Sequence, residues 1–311
     1  MKWRAACGAF AALLGFALGP AARCATFSLP VEEVARGLFV HVGQPLALDA
    51  PGHDDIANIG FIVGTRCVAV IDTGGSVRIG RALRSAVAEH TRLPVCYVIN
   101  THVHVDHLLG NAAFTGAHVQ FVGHALLGDA LSRSREFFLN NYAGDLEAPA
   151  TAAQIVGPDR SVPQGGELEL DLGARPLRLH AWPKAHSDCD LTVYDAATGT
   201  LWSGDLLFVQ RTPALDGSLT GWLAAIDTLT AISVKRVIPG HGAVSNDLRA
   251  ALAPERQYLQ SLLADVRAAI AQGKPLQDAV RDVSPAHSGW LLWDTTHPRN
   301  VARAYQELEW E

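Results

Sequence analysis

The stretch Asn100-Thr101-His102-Val103-His104-Val105-Asp106-His107-Leu108-Leu109-Gly110 decides how the rest of the sequence is interpreted. It follows an apolar run typical of a buried strand. Alternate side chains of an extended segment point the same way, so His102 and His104 can bind one metal ion. Asp106 and His107 lie at the turn into the next segment and are placed to bind a second ion. A polar loop without metal is the alternative, but buried, unliganded histidines cost solvation free energy.

The composition is typical of a large globular protein without a basic surface. The 311 residues are 49% hydrophobic, so the chain can bury a large core as one α/β domain or as two domains. The formal net charge is -6, and the sequence lacks the basic stripe that nucleic-acid-binding domains usually carry. We therefore expect no nucleic-acid partner.

The N-terminus has the order of a secretory signal. Lys2 and Arg4 precede an apolar run at positions 5–18, and small residues follow it. The run is too short to cross a membrane comfortably, although an uncleaved anchor is the alternative. We expect residues 1–25 to be a signal peptide that is removed. Its removal would leave no stable membrane insertion and a protein located in the periplasm or secreted.

Three cysteines follow the signal segment, namely Cys67, Cys96 and Cys189. Because three is an odd number, they cannot form a complete disulfide framework. Cys67 and Cys96 occur in apolar, strand-like runs and are expected to be small buried residues. Cys189 lies three positions after His186, but we expect it to be a bystander of the metal site.

The remaining chain alternates between strand-like and helix-like segments. Apolar runs predict strands at 34–42, 59–63, 67–71, 94–100, 117–122, 167–172, 177–182, 191–194, 201–203 and 236–238. Amphipathic spacing predicts helices at 77–90, 108–114, 124–139, 219–232, 254–271, 276–283 and 301–308. Pro254 is placed at the first turn of its helix, where a missing N–H costs nothing. The stretch 140–164 is expected to be a long loop that forms one wall of the site.

Three more ligand-type side chains follow apparent strands in the second half, namely His186, Asp205 and His241. Proteins of the α/β class commonly place their chemistry at the carboxyl ends of strands. Two strand-and-helix halves with ligands on connecting loops predict a four-layer αββα sandwich over residues 26–250. A helical extension is expected at 251–311. Three tryptophans are expected to pack this extension on the sandwich: Trp290, Trp293 and Trp310.

Five other polar residues lie near these positions in the sequence. Asp72 ends a strand and could hydrogen-bond the backbone of the histidine loop, with simple turn chemistry as the alternative. His124 follows a strand and could line the pocket or be a structural residue. Lys184, Arg211 and Asp216 lie on loops near ligand positions. They could bind a substrate carboxylate, shape the pocket or serve as turn residues.

The combined motifs resemble those of the metallo-β-lactamase-fold hydrolases over about residues 35–245. The motifs are Thr101-His102-Val103-His104-Val105-Asp106-His107, His186, Gly204-Asp205 and Pro239-Gly240-His241-Gly242. The resemblance implies two zinc ions per chain. It implies that His102, His104 and His186 hold the first ion, that Asp106, His107 and His241 hold the second, and that Asp205 bridges them.

A narrower resemblance covers nearly the whole mature chain. Three phrases are similar to the quinoprotein relay system zinc metallohydrolases: Ile56-Ala57-Asn58-Ile59-Gly60-Phe61-Ile62-Val63-Gly64, Asp216-Gly217-Ser218-Leu219-Thr220-Gly221-Trp222 and Glu307-Leu308-Glu309-Trp310-Glu311. This resemblance implies a functional link to a periplasmic quinoprotein dehydrogenase. It implies no particular substrate.

The implied ligand set predicts a metal-dependent hydrolase. Zinc lowers the pKa of bound water to roughly 7, so a metal-bound hydroxide can attack an ester, thioester or amide-type carbonyl. Asp106 could orient the hydroxide or shuttle its proton. The positive charge of the site favours a small substrate with a negative group, and the ligand types favour zinc over iron.

Four alternatives stay open at this point. A β-lactamase of the best-known kind would carry cysteine where Asp205 lies. A glyoxalase II-like thioesterase matches the carboxylate there. An iron persulfide dioxygenase shares many of the ligands. A non-catalytic binding partner of a dehydrogenase would have no need for an open binuclear site.

Overall fold

Two packed β-sheets form the centre of the protein, and helices cover their outer faces. The computed structural model describes residues 29–283 and 289–311, so the predicted signal peptide at 1–25 lies outside the described residues. The inner faces of the two sheets share one apolar core. The predicted four-layer αββα arrangement is therefore confirmed.

The N-terminal half supplies a seven-stranded sheet whose strands lie in sequence order. Its strands are β1 (Glu32–Ala35), β2 (Leu38–His41), β3 (Ile59–Val63), β4 (Val68–Ile71), β5 (Val95–Ile99), β6 (Gln120–His124) and β7 (Arg160–Val162). Pairing is antiparallel from β1 to β4 and parallel from β4 to β7. The single strand expected at 34–42 is a hairpin of two strands. The loop expected at 140–164 is also partly wrong, because β7 adds the last strand to the sheet there.

The second half supplies a five-stranded sheet in the order β12-β11-β10-β9-β8. Its strands are β8 (Glu167–Asp171), β9 (Pro176–Ala181), β10 (Leu191–Asp195), β11 (Thr200–Phe208) and β12 (Arg236–His241). Only the pairing of β11 with β12 is parallel among these strands. β11 contains Asp205 and β12 ends at His241, so both strands deliver candidate ligands to the same end of the sandwich.

Seven α-helices complete the described layers. They are α1 (Val77–His90), α2 (Val105–Leu108), α3 (Leu127–Asn141), α4 (Leu219–Thr230), α5 (Leu248–Ala271), α6 (Leu276–Asp282) and α7 (Trp293–Leu308). α1 covers the outer face of the first sheet, and α4, α5 and α7 cover that of the second. Among the residues that the structure describes, no helix is long and apolar enough to cross a membrane.

Helix α5 begins earlier than its proline predicts. The side chain of Asp247 caps the helix by accepting a hydrogen bond from the backbone N–H of Ala250 at 3.0 Å. Pro254 therefore lies inside the helix, and its predicted place in the first turn is wrong. Leu248 and Leu252 are buried in the core under this helix. Their burial offsets the one backbone hydrogen bond that the proline removes.

Helix α7 shows the same effect and tests the predicted tryptophan contacts. It starts at Trp293 rather than at 301 and contains Pro298. Trp290 and Trp293 pack against the core of the second sheet, as predicted. Trp310 is 85% exposed, so its predicted packing is wrong. It lies after the last turn of α7, beyond the surface that the helix buries.

Cys67 and Cys96 form a disulfide with their Cα atoms 5.8 Å apart. The predicted burial is confirmed for Cys67, whereas the disulfide was not predicted. Counting cysteines could not reveal the bond, because it depends on the parallel pairing of β4 with β5, which brings the starts of these strands together. Cys189 is the free cysteine of the described residues, and burial raises the pKa of its thiol to about 12.

Candidate metal centre

Three histidine ring nitrogens converge on one point. Nε2 of His102 and Nε2 of His186 lie 2.9 and 3.0 Å from Nδ1 of His104. Nitrogens that bind one tetrahedral zinc ion at about 2.0–2.1 Å are about 3.3 Å from each other, so this spacing suits a shared ion. The loop after β5 positions two of these rings, and the loop after β9 positions the third.

A second group forms beside the first. Oδ2 of Asp106 lies 3.4 Å from Nε2 of His241 and 3.7 Å from Nε2 of His107. Asp106 and His107 belong to α2, the single helical turn that follows the histidine loop. All three side chains are buried and offer ligand atoms close enough to hold one ion.

Asp205 lies between the two groups. Its Oδ2 is 3.6 Å from Nε2 of His102 and 3.5 Å from Nε2 of His186. The same oxygen is 3.4 Å from Nε2 of His241, and Oδ1 is 3.2 Å from Nε2 of His107. A carboxylate that reaches both groups is placed to bridge two ions. The structure thus brings all seven predicted ligand side chains together.

Each of the five histidines is held through its outer ring nitrogen. The partners are Oγ1 of Thr101 for His102, Oδ2 of Asp216 for His104, Oδ2 of Asp72 for His107, the carbonyl of Ala214 for His186 and the carbonyl of Ile56 for His241. Acceptors at these places keep the ring proton on the outer nitrogen. The inner nitrogens then present lone pairs to each other, which is unfavourable unless a cation lies among them. This donor set fits a metal ion.

The electrostatics of the centre point the same way. Nε2 of His107 and Oδ1 of Asp205 are buried and face each other at 3.2 Å without the geometry of a hydrogen bond. Burial lowers the pKa of His102 well below its usual range and that of His186 to about 4, so both rings are neutral. Burial also acts against charge on His107, but nearby carboxylates, Asp205 foremost, raise its pKa well above the usual range. Such a site favours a positive charge, and its inner nitrogen and oxygen atoms can bind a cation.

Asp72 supports the histidine loop, as its position predicts. Its Oδ1 accepts the backbone N–H of Thr101 at 2.9 Å, and its Oδ2 accepts the hydroxyl of Thr101 at 2.7 Å. Oδ2 also accepts Nδ1–H of His107 at 2.8 Å. Because Thr101 in turn contacts the ring of His102, one carboxylate orients a histidine in each of the two groups.

Sequence reasoning missed Asn58, which holds the turn that carries His241. The Asn58 side chain donates to the carbonyls of Pro239 and Gly242 at 2.8 Å each. Its Oδ1 accepts the backbone N–H of Gly43 at 3.0 Å. A single asparagine before a strand carries no sequence signal of this role.

Two of the polar residues singled out from the sequence have partners within the protein. His124 is buried, its Nδ1 accepts the N–H of Leu126, and its Nε2 donates to the carbonyl of Trp182, both at 3.0 Å. The possibility that His124 lines the pocket is therefore wrong. Lys184 pairs with Asp188 at 2.9 Å on the surface.

Arg211 is placed differently from these two. It is 8% exposed and donates from Nη1 to the carbonyl of Leu46 at 2.9 Å. Burial lowers the pKa of its guanidinium, whereas the charges of Asp106 and Asp205 act to raise it. Both carboxylates belong to the ligand groups, so their negative charge acts on the buried guanidinium. Its planar guanidinium carries five N–H donors, which suits an anionic group.

The fold and this cluster define the class of an αββα protein with a candidate binuclear metal site. A sequence profile described as "Metallo-beta-lactamase superfamily" matches residues 53–241, which is more than half of the chain. The chain therefore belongs to the metallo-β-lactamase superfamily. A search of curated proteins found no significant match.

Several solved structures share the fold. The stereoselective inverting sec-alkylsulfatase Pisa1 from Pseudomonas sp. is 16% identical with a TM-score of 0.69, covering 90% of this chain and 50% of its own. The chain thus spans half the length of that relative. The metallo-β-lactamase from Pontibacter korlensis is 19% identical with a TM-score of 0.60, covering 75% of this chain and 99% of its own. The metallo-β-lactamase from Hirschia baltica is 17% identical with a TM-score of 0.58, covering 75% and 97%.

Proposed function

We propose that this protein is an exported binuclear zinc hydrolase that cleaves a small anionic ester, thioester or amide-type substrate. The proposal assigns one zinc ion to His102, His104 and His186, a second to Asp106, His107 and His241, and Asp205 to both. The position of Asp205 carries the proposal. Its two oxygens lie 3.2–3.6 Å from ring nitrogens of four histidines drawn from both groups.

The chain's own residues suit hydrolysis. When bound, zinc supplies a coordinated water with a pKa near 7 and polarises the oxygen of the substrate. Imidazole and carboxylate ligands are compatible with zinc, whereas softer thiolate ligands are missing from this cluster. Asp106 is buried with Oδ2 turned toward the histidines. We assign its Oδ1 as the acceptor of the proton from the attacking water.

Arg211 is the residue that would receive the negative group of the substrate. A guanidinium can bind a carboxylate or sulfate through two parallel N–H donors. Its burial strengthens such an interaction relative to one in water. An anionic substrate would thus be oriented with its scissile bond toward the metal ions.

Export and partnership are parts of the same proposal. The disulfide between Cys67 and Cys96 supports export, because disulfides persist in oxidising compartments such as the periplasm. The signal-like segment at 1–25 agrees with this location. A functional link to a periplasmic quinoprotein dehydrogenase rests on the sequence resemblance alone.

A second candidate is hydrolysis of a sulfate ester. The similarity to the sec-alkylsulfatase extends over 90% of this chain, compared with 75% for the β-lactamases. A sulfate group is also an anion that Arg211 could bind.

The deciding experiment combines metal analysis with a substrate panel. We expect the purified protein to hold close to two zinc ions and to hydrolyse at least one member of a panel of carboxylic esters, thioesters, lactams and alkyl sulfates. The His102→Ala variant should lose this activity. One iron per chain with oxygen consumption on a persulfide would refute the proposal. Full zinc loading without any turnover would favour a non-catalytic binding role instead.

A further inference from the structure

One loop touches two of the proposed ligand histidines. Residues 209–218, called the site loop below, connect β11 to α4. The carbonyl of Ala214 accepts Nδ1–H of His186 at 2.7 Å. Oδ2 of Asp216 lies 2.8 Å from Nε2 of His104. The site loop therefore sets the orientation of two of the three rings in the first group.

The site loop also holds the backbone of His186. The backbone N–H groups of Asp216 and Gly217 donate to the carbonyl of His186 at 3.0 and 2.6 Å. A β-carbon on Gly217 would lie 2.2 Å from the carbonyl oxygen of Ala185, so only glycine permits this approach. A small shift of the loop would consequently move the histidine.

The opposite side of the site loop is held by α7. The side-chain amide of Asn300 donates to the carbonyl of Pro213 at 2.6 Å, and its Oδ1 accepts the backbone N–H of Leu215 at 2.9 Å. Asn300 is buried. It thus pairs with the backbone on both sides of Ala214, whose carbonyl binds the His186 ring.

Arg303 continues this contact one turn later. Its guanidinium donates to the carbonyls of Asp216 and Gly217 at 3.2 and 2.8 Å. These two residues are the ones whose N–H groups bind His186. The same short segment is therefore held by α7 through its carbonyls and holds the ligand through its N–H groups.

Glu307 is the third residue of α7 that contacts this region, at the end of the site loop. Its carboxylate accepts the hydroxyl of Ser218 at 2.7 Å and the backbone N–H of Leu219 at 2.6 Å. It also accepts the hydroxyl of Thr220 at 2.8 Å. A carboxylate at the first turn of α4 satisfies N–H groups that the helix itself cannot pair.

We propose that Asn300, Arg303 and Glu307 are positioning residues of the metal centre, acting through the site loop on His186 and His104. Their spacing places them on one face of α7. They lie outside the part of the chain that matches the superfamily profile, residues 53–241. The C-terminal helix thereby becomes part of the metal site although it supplies no ligand. This inference rests on the metal-ligand assignment proposed above.

The test compares Arg303→Ala and Arg303→Lys with Gln306→Ala in the purified protein. Gln306 is exposed on the same helix and serves as the matched control. Zinc dissociation constants are measured by competition with a chromophoric chelator, and urea unfolding is followed for the metal-free proteins. We expect Arg303→Ala to lower the affinity for one of the two zinc ions about tenfold, because residues that orient a metal ligand contribute about this much to metal affinity. Arg303→Lys should lie between it and the wild type, because an ammonium cannot replace the planar fork.

The outcomes separate this inference from the proposed function. Wild-type affinities at both sites in Arg303→Ala would overturn it. Equal weakening of both ions together with a lower urea midpoint of the metal-free variant would also overturn it, since that pattern marks a general structural role. A lower affinity for one zinc ion only, together with an unchanged urea midpoint of the metal-free variant, supports the inference. A wild-type protein that binds no zinc would refute the proposed function, and this inference with it.

Discussion

Gly240 and Asp205 approach so closely that a β-carbon on Gly240 would lie 1.8 Å from Oδ1 of Asp205. This contact arises where β12 pairs in parallel with β11. The carboxylate that lies between the two histidine groups therefore occupies space that only glycine leaves open. A residue without a side chain consequently decides whether both groups can share Asp205.

Gly240→Ala should displace the Asp205 carboxylate and lower the bound zinc below two ions per chain. Activity on the best substrate should fall about 100-fold, which is the upper range for loss of support around a metal ligand. Metal analysis and steady-state kinetics check this. Gly128→Ala is the matched control, because a β-carbon there meets nothing within 4 Å. Two zinc ions and unchanged activity in Gly240→Ala would contradict the assignment of Asp205.

Asp72→Asn should lower the affinity for both zinc ions about tenfold or more. One oxygen of Asp72 accepts protons from both Thr101 and His107, and an amide nitrogen there would oppose them. The main chain at Asp72 has a φ of 52°, which asparagine adopts readily, so the backbone is not strained by the change. Zinc titration is the measurement, with the exposed Asp265→Asn as control. Equal affinities in both variants would show that Asp72 is only a turn residue.

Arg211→Gln should raise the KM for an anionic substrate about tenfold and change kcat less. The reason is loss of a charge-assisted hydrogen bond, which is worth about 1.5–3 kcal/mol. A neutral analogue with the same scissile bond is the internal comparison and should be affected by less than about twofold. An equal rise in KM for both compounds would mean that Arg211 does not recognise the anion.

The double variant Cys67→Ser and Cys96→Ser should have a free energy of unfolding about 3–4 kcal/mol lower than the wild type. The disulfide joins residues 29 positions apart, and its removal increases the conformational entropy of the unfolded chain. Urea unfolding with and without a reductant provides the measurement. The wild type should lose stability in reductant, whereas the double variant should be insensitive to it. A wild type whose stability does not respond to reductant would contradict a structural role for the bond.

We expect Glu255 to make the free energy of unfolding depend on pH. It is fully buried, and burial raises its pKa well above the usual range, although a backbone hydrogen bond from Phe208 acts to lower it. Below the unfolded-state pKa, near 4.5, both states are protonated and the residue carries no charge penalty. Above it the unfolded state loses its proton first, so stability falls as pH rises toward the folded-state pKa.

The free energy of unfolding of Glu255→Gln should therefore rise relative to that of the wild type by about 1.4 kcal/mol for each pH unit above pH 5, until the folded-state pKa is passed. Urea unfolding of the metal-free proteins at pH 4, 5, 6 and 7 measures this difference. A difference that is constant over this range would show that Glu255 does not titrate abnormally.

Local periodicity predicted many of the elements, and the failures have physical causes. The helix predicted at 77–90 is observed at Val77–His90, since its apolar spacing matches the face that it buries. Pro254, predicted in the first turn of its helix, lies inside α5. The helix predicted to begin at 301 starts at Trp293 and contains Pro298. Tertiary burial of neighbouring apolar residues outweighs one lost backbone hydrogen bond, and a local pattern contains no measure of that burial.

The sequence by itself determined which residue types could bind metal. Its prediction that each follows a strand holds for the histidine loop and His186, whereas Asp205 and His241 lie within β11 and β12. It also offered Asp72 either as a support of the histidine loop or as a simple turn residue, because Asp72 ends a strand. Only the tertiary structure decided which atoms face each other. Parallel pairing of β4 with β5 brings Cys67 and Cys96 together. Gly240 leaves space for the Asp205 carboxylate, and α7 binds the site loop that contacts His186. These contacts join residues far apart in the chain, so they depend on sheet topology and packing, which no local pattern encodes.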